Sequence, residues 1–250
     1  MVVIKTSREL ALMREACRIS ANALKLAGTA VEPGVSTLEI DTLVRKYIEK
    51  EGATPSFLGY GGFPGSACIS VNDVVIHGIP SKDCIIKEGD IVSVDVGAFI
   101  HGFHGDNAYT FPCGKISPQA QALLDATKES LYEGIKAALA GNRIGDIGSA
   151  VQRYVEDRSY SVVRDFVGHG VGAKLHEDPA VPNYGTPGRG VRLIPGMTIA
   201  IEPMVTAGDY RVRVLDDDWT TVTVDGSLAA HFEHSIAITK DGPKILTIPD

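Results

Sequence analysis

The chain has 250 residues, of which 44% are hydrophobic and 22% are charged, and its formal net charge is −7. This acidic balance argues against a general nucleic-acid-binding protein, and no apolar run approaches the length of a membrane span. The four cysteines form no Cys-x-x-Cys pair, which disfavours a zinc ribbon or a disulfide framework and leads us to expect a cytoplasmic protein.

The first part of the chain predicts two helices followed by strands. Apolar residues recur at helical spacing from Ser7 to Leu26. Ser36 is a suitable N-cap for a second helix that runs to about Glu51, because Glu39 stands three residues later and completes a capping box. After a glycine-rich loop, apolar runs predict three strands, which are Ala67 to Val71, Ile91 to Val96 and Asn107 to Phe111.

The order of elements then starts again after Pro112. The runs from Ser117 to Ala140 and from Ile144 to Asp157 predict two more helices. Two amphipathic helices can share residues by chance, but the repeated order of elements favours a duplicated half-domain. We therefore expect one domain over residues 1–250, with a pseudo-repeat over about 7–113 and 114–245. A shift of 107 positions aligns Gly34 with Gly141, Ile40 with Ile147, Val44 with Val151, Tyr47 with Tyr154 and Glu49 with Glu156.

Asp95 and Asp106 lie in two neighbouring strand-like runs. If the chain reverses near Ile100 and His101, the two aspartates stand directly opposite each other on antiparallel strands and point to the same face. Like charges in that position repel each other unless a cation lies between them. The alternative is that Asp106 is a turn residue and Asp95 a cap, but the valines on both sides of Asp95 are too apolar for a turn.

Three further residues are candidate metal ligands, and each has a simpler structural alternative. His169 stands between glycines that allow close backbone approach, but it could also be a core histidine. A phosphate-binding loop is disfavoured, because the segment lacks the Lys-Ser/Thr that such a loop requires. Glu202 ends an apolar strand and Glu233 begins another, where a buried glutamate could instead pair with an arginine. His231 and His234 flank Glu233, but we expect both to point to the opposite face of the strand.

Together, these five side chains indicate a metal centre formed by Asp95, Asp106, His169, Glu202 and Glu233. Burying an unpaired carboxylate is costly, and two divalent cations would balance the charge of the four carboxylates. A site rich in oxygen with one imidazole suits Mn, Fe, Co or Zn, whereas a soft-metal site would need thiolates. No Gly-x-Ser-x-Gly elbow is present, and no cysteine has the required setting beside a histidine. We therefore favour metal-assisted hydrolysis over a side-chain nucleophile.

Six stretches of the sequence carry a resemblance to a known family. They are Tyr60-Gly-Gly-Phe-Pro-Gly-Ser-Ala-Cys-Ile-Ser-Val-Asn72, Val75-Ile-His-Gly-Ile-Pro80, Asp95-Val-Gly97, Gly105-Asp-Asn107, Gly168-His-Gly-Val-Gly172 and Ala200-Ile-Glu-Pro203. In order and spacing they resemble the pita-bread metallopeptidases, and within that group the type I methionine aminopeptidases in their short bacterial form. The resemblance implies an α+β fold, with pseudo-twofold halves around a curved antiparallel sheet that is covered by helices.

The resemblance also implies a role for each ligand by position. Asp95 would hold one metal ion in bidentate fashion. Asp106 and Glu233 would bridge two ions, and His169 and Glu202 would complete the second site. Glu202 would serve in addition as a proton shuttle during catalysis.

A methionine pocket beside the metal ions is implied as well, and a soft, aromatic lining suits a thioether. His77 would contact the substrate near the scissile amide, and His176 would hydrogen-bond its carbonyl or the developing oxyanion. Leu175 departs from the family, in which an aromatic residue is commoner here. Loop oxygens near Asn72 and Val74 would bind a monovalent cation. The residues implied to contact substrate are Phe57, Tyr60, Phe63, Cys68, His77, His176 and Trp219.

The implied activity is hydrolysis of the N-terminal methionine from nascent proteins that have a small second residue. The implied partners are nascent polypeptides and, transiently, the ribosome, with a monomeric enzyme and neither a membrane nor a sequence-specific nucleic-acid partner. One alternative is an Xaa-Pro aminopeptidase or prolidase-like peptidase of the same fold, which usually carries an additional N-terminal domain. Another is a non-catalytic binding protein, which would typically have lost metal ligands.

Overall fold

The computed structural model describes all 250 residues and packs four helices against antiparallel strands. All four predicted helices are present, and their ends lie within three residues of the predicted ones. None of them combines the length and the apolar character that crossing a bilayer requires. The helices are α1 (Ser7–Thr29), α2 (Thr37–Lys50), α3 (Pro118–Ala137) and α4 (Ile144–Glu156).

Three of the four helices begin where the side chain of the N-cap residue accepts from a free backbone N–H group. Thr6 and Glu9 form a capping box at the start of α1. Ser36 and Glu39 form the predicted capping box at the start of α2. Ser117 caps α3, because its hydroxyl oxygen accepts from the backbone N–H of Ala120. These short-range contacts explain why the helix starts follow closely from the sequence.

Fifteen strands make four small sheets, and every strand pair is antiparallel. The strands are β1 (Thr54–Pro55), β2 (Ala67–Val71), β3 (Val74–Ile76), β4 (Ile91–Ile100), β5 (Phe103–Pro112), β6 (Ser161–Val162), β7 (Gly168–Gly170), β8 (Glu177–Val181), β9 (Thr198–Ile201), β10 (Met204–Thr206), β11 (Val212–Val214), β12 (Thr221–Thr223), β13 (Ala229–His231), β14 (His234–Thr239) and β15 (Gly242–Ile245). The sheets have the orders β1-β4-β2 with β5 paired to β4, β13-β10-β6, β11-β12-β3 and β15-β14-β9-β7-β8.

Two hydrophobic cores hold the strands against the helices. One contains 17 buried residues, drawn mainly from α1, α2, β2 and β4. The other contains 22 buried residues, drawn mainly from α3, α4 and the strands that follow them. Each helix pair therefore covers strands from its own part of the chain.

Several backbone features recur at the predicted shift of 107 residues. Gly34 and Gly141 have φ values of 93° and 99°, and their N–H groups donate to the carbonyls of Ile86 and Leu193. The same shift relates two isolated bridges, which join Ser36 to Ile85 and Arg143 to Arg192. We propose on this basis that the chain is one catalytic domain built from two related halves.

The hairpin of β4 and β5 differs in register from the prediction. Gly97, rather than Asp95, stands opposite Asp106, so the predicted direct pairing of the two aspartates is wrong. The turn is His101-Gly102, with φ values of 56° and 84°, because a two-residue turn of this kind requires positive φ, which β-branched Ile100 resists. Moving the turn by one residue shifts the register by two, which keeps each side chain on its face. Asp95 and Asp106 are therefore diagonal neighbours on one face.

Gly105 on β5 tests how closely α1 approaches this hairpin. A Cβ at Gly105 would overlap the backbone of Cys17, so we expect Gly105→Ala to lower the free energy of unfolding by about 3 kcal/mol. Gly102→Ala is the control, because its φ is 84° but nothing lies near it, and conformational strain alone should cost about 1 kcal/mol. Denaturant unfolding measures both variants. Equal losses of stability would contradict the close contact.

Candidate metal centre

Asp106 and Glu233 are brought together by backbone hydrogen bonds between β5 and the segment that joins β13 to β14. The Glu233 N–H donates to the Ala108 carbonyl at 2.9 Å, and the Ala108 N–H donates to the Glu233 carbonyl at 3.4 Å. The Ser235 hydroxyl donates to the Asp106 carbonyl at 2.7 Å. Asp95 points to the same face of the hairpin from β4. Three carboxylates therefore converge on one side of this hairpin.

Glu202 lies beside Glu233 because β9 pairs with β14. The register places Ile201 opposite His234, so the two glutamates stand at adjacent ends of neighbouring strands. The Asn183 amide donates to the Glu202 carbonyl at 3.0 Å. This contact fixes the backbone of Glu202 just beyond the end of its strand.

His169 lies on β7 between Gly168 and Gly170. A Cβ on either glycine would overlap the carbonyl oxygen of Ala200 or of Asp178, so only glycine permits this close approach of the strands. His169 Nδ1 lies 2.8 Å from the Gly170 carbonyl oxygen. Because a carbonyl can only accept, Nδ1 carries the proton and leaves Nε2 free, which is the tautomer that a metal ligand needs.

The three elements direct their side chains at one another. His169 Nε2 lies 3.7 Å from an oxygen of Asp106 and 3.5 Å from an oxygen of Glu202. Asp106, His169 and Glu233 each present a ligand atom within 4.8 Å of the other two. Asp95 lines the same cavity but lies outside this tighter group. The five predicted ligands therefore surround one cavity.

Burial and mutual repulsion disfavour the charged forms of these carboxyl groups. Burial raises the pKa of Asp106 to about 7. Burial, followed by the negative charge of Asp106, raises the pKa values of Asp95, Glu202 and Glu233 well above their usual range. Burial also lowers the pKa of His169 to about 3, so its ring is neutral. No lysine or arginine lines the cavity to offset the negative charge.

Divalent cations fit this donor set. One buried oxygen on each of Asp95, Asp106 and Glu233 has no hydrogen-bond partner. Leaving such groups unsatisfied is costly, and carboxylate oxygens with a neutral imidazole are suitable ligands for first-row dications. The cluster thus has the charge, the tautomer and the open acceptor sites that metal ions require.

An apolar wall adjoins the acidic cluster. Phe57, Phe63, Cys68 and Leu175 form a small buried group, and Trp219 packs against it. Together with the ligands, this wall encloses a cavity of about 150 Å³. The cavity is lined by all of the predicted substrate contacts, which are Phe57, Tyr60, Phe63, Cys68, His77, His176 and Trp219.

Two neutral histidines complete the wall. Burial lowers the pKa of His77 to about 4, and burial also lowers the pKa of His176. The rings of His169 and His176 are 4.2 Å apart between centroids. The Tyr60 hydroxyl lies 2.7 Å from His176 Nδ1, a contact across 116 residues that the sequence did not reveal. His77 packs edge-on against Trp219.

His231 also faces the cluster, contrary to the prediction. Its Nε2 lies 3.6 Å from Glu202 Oε2, and it forms a second possible ligand group with Glu202 and Glu233. His231 lies two residues before Glu233, and residues two apart on a strand share a face. The prediction was therefore wrong for His231, and only His234, which is adjacent to Glu233, was correctly excluded. His234 instead contacts the Thr247 hydroxyl at 2.8 Å.

The predicted monovalent-cation loop has its side-chain contacts already made. Asn72 donates to Asp90 at 2.9 Å and accepts from the Ile91 N–H at 3.1 Å. Its own carbonyl accepts from the Ala229 N–H. Any cation held here would rely on other oxygens of the loop, so this site stays a prediction.

The chain is similar to known proteins over almost its whole length. The model of metallopeptidase family M24 matches residues 11–240. Methionine aminopeptidase of Clostridium acetobutylicum is 52% identical over 248 residues, and methionine aminopeptidase 1 of Bacillus subtilis is 53% identical over 247 residues; each match covers 99% of both chains. The crystal structure of methionine aminopeptidase from Thermotoga maritima superposes with a TM-score of 0.97 at 49% identity and covers 99% of both chains.

These matches confirm the resemblance seen in the sequence and the predicted α+β pita-bread fold. They extend over almost the whole chain. With a family match from residue 11 to residue 240 and full-length relatives about half identical to it, this chain belongs to metallopeptidase family M24.

Proposed function

We propose that the protein is a methionyl aminopeptidase that removes the N-terminal methionine from nascent proteins whose second residue is small. The observation that carries the proposal is the junction of an apolar pocket with a buried acidic cluster in one cavity of about 150 Å³. The aromatic rings and the Cys68 thiol that line the pocket suit the thioether side chain of methionine. The names of full-length relatives agree with this activity.

Two divalent ions, of Co, Mn, Fe or Zn, complete the proposed site. When bound, such ions polarise a carbonyl group and activate water for hydrolysis. The donor chemistry supports this number, because four carboxylates without a lysine or arginine leave a large negative charge to balance. The residues that would hold the ions are Asp95, Asp106, His169, Glu202 and Glu233.

The chain itself would orient the substrate and move protons. If the Tyr60 hydroxyl donates to His176 Nδ1, the proton of the neutral ring lies on Nε2 and can be donated to the substrate carbonyl oxygen. His77, which also lines the cavity, would contact the scissile amide. Glu202 would accept a proton from the attacking water and pass it to the leaving amine.

The proposed substrates are the N-termini of newly made chains. We infer a monomer that acts in the cytoplasm on nascent N-termini and meets the ribosome transiently. A monovalent cation near Asn72 and Val74 is part of the same proposal. These inferences rest on the substrate class and on the family resemblance.

Peptide hydrolysis tests the proposal directly. We expect release of methionine from Met-Ala-Ser when Co or Mn is added to protein stripped by chelation, and none before the addition. Met-Leu-Ser should be cleaved more slowly, and an Xaa-Pro peptide should remain intact. Failure to release methionine, with metal bound and the fold intact, would refute the proposal. Cleavage of the Xaa-Pro peptide alone would favour the prolidase-like alternative.

Stability of the chelated protein should depend on pH. The pKa of Asp106 is raised from 3.8 to about 7 in the folded protein, so at intermediate pH the folded state binds more protons than the unfolded state. The stability is present at low pH and is lost as pH rises through the folded pKa, by about 1.4 kcal/mol per unit for each such group. Thermal unfolding between pH 4 and pH 7 measures this, with chelated Asp106→Asn as the control that should show a shallower slope. The same slope in the metal-loaded protein would contradict the expectation.

His176 should matter for turnover and not for metal binding. We expect His176→Asn to lower kcat about 100- to 1000-fold, the usual cost of losing one donor to a developing oxyanion, with an unchanged metal content. His101→Asn is the matched control, because His101 is exposed in a turn at φ 56°, which asparagine also adopts. Steady-state kinetics and metal analysis are the measurements. A normal kcat in His176→Asn would rule out this role.

A further inference from the structure

His231 is a buried histidine whose position is fixed but whose imidazole is not satisfied. It is 2% exposed at the end of β13. Its backbone N–H donates to the Thr110 hydroxyl oxygen at 2.9 Å, and its backbone carbonyl accepts from the same hydroxyl at 2.8 Å. Its Nε2 has no hydrogen-bond partner. The backbone is therefore anchored to β5, and the ring nitrogen faces a neighbour without a completed contact.

That neighbour is the carboxylate of Glu202. His169 Nε2 lies 3.5 Å from Glu202 Oε1, and His231 Nε2 lies 3.6 Å from Glu202 Oε2. The two oxygens of one carboxylate thus face two different imidazoles. The His169 ring uses its proton on the Gly170 carbonyl, so it has none to donate to Glu202.

Only His231 is placed to donate a proton to Glu202. No other side chain or backbone N–H donates to this carboxylate. On the other side of the pair, His231 Nε2 is a buried polar atom without a partner, which is costly. The remaining gap of 3.6 Å is slightly longer than a hydrogen bond, and contacts in active sites are often long before the site is filled.

We propose that His231 is a positioning residue for the metal centre, and that its Nε2–H donates to Glu202 Oε2 and thereby fixes which oxygen Glu202 presents beside His169. This inference rests on the proposed metal centre and adds a residue to it. Hydrogen bonds from outside the ligand set orient the ligands, and their loss typically lowers metal affinity about 10- to 100-fold. His231 would therefore set the affinity for metal without binding it.

Three variants separate this role from its alternatives. His231→Gln keeps an N–H donor of similar reach, whereas His231→Leu keeps the volume without a donor. His234→Leu is the matched control, because His234 flanks Glu233 on its other side and bonds Thr247 instead of Glu202. Thermal unfolding of the metal-free variants shows whether each is folded.

The measurement is calorimetric titration of Co²⁺ into the chelated full-length protein. We expect His231→Leu to weaken the binding of Co²⁺ about 10- to 100-fold, and His231→Gln and His234→Leu to bind within about threefold of the parent protein. Normal affinity in His231→Leu would overturn the proposal. An equal loss in His231→Leu and His231→Gln would also overturn it, in favour of direct coordination by the ring.

The same titration distinguishes this proposal from the proposed function. If the parent protein binds Co²⁺ but releases no methionine from Met-Ala-Ser, the peptidase assignment fails while the role of His231 stands or falls on the titration. If the parent protein binds no Co²⁺, the metal centre and the role of His231 are both overturned. The absorption spectrum of bound Co²⁺ gives a second readout, since loss of a nitrogen ligand would change it and loss of a positioning contact would leave the ligand set unaltered.

Discussion

Repulsion among four carboxylates gathered around one cavity is the constraint on which the rest of this structure depends. Asp95, Asp106, Glu202 and Glu233 line one cavity with no lysine or arginine, so the chain by itself does not balance their charge. The strands must therefore hold the groups together against an unfavourable interaction. Reciprocal backbone hydrogen bonds between Ala108 and Glu233 do so on one side, and two well-filled cores supply the stabilising free energy.

The same scaffold explains why a polar cluster can adjoin an apolar pocket. Among the proposed ligands, Asp95, Asp106 and His169 lie within strands, whose alternating side chains point inward without breaking the ladders. Glu202 and Glu233 lie in short segments that connect strands. The pocket wall comes from loops, which include the single tryptophan, Trp219, and from Cys68 on β2. Tyr60 reaches across this wall to His176, so the lining of the pocket and the proposed donor to the substrate are physically joined.

Sequence alone predicted the parts of the molecule that depend on local chemistry. The Ser36 and Glu39 capping box follows from residues three apart, and the five candidate ligands follow from charge inside apolar runs together with the family resemblance. The predicted hairpin turn was one residue too early, because the prediction placed it midway between the two strand-like runs. The turn lies at His101-Gly102, where both residues have positive φ. The Tyr60 contact depends on distant packing, which no local pattern encodes. His231 could have been found, since residues two apart on a strand share a face.

The proposed division of the chain into two halves, related by a shift of 107 residues, would make degradation of the protein depend on metal. Asp95 and Asp106 come from the first half, whereas His169, Glu202 and Glu233 come from the second. Neither proposed half contains all of the proposed ligands, so an ion bound by them would connect the two halves, and its binding free energy would oppose their separation. A shortage of metal would then lower the stability of the protein, raise its unfolded fraction and expose the chain to proteases. The abundance of the enzyme would follow the supply of the ion that activates it.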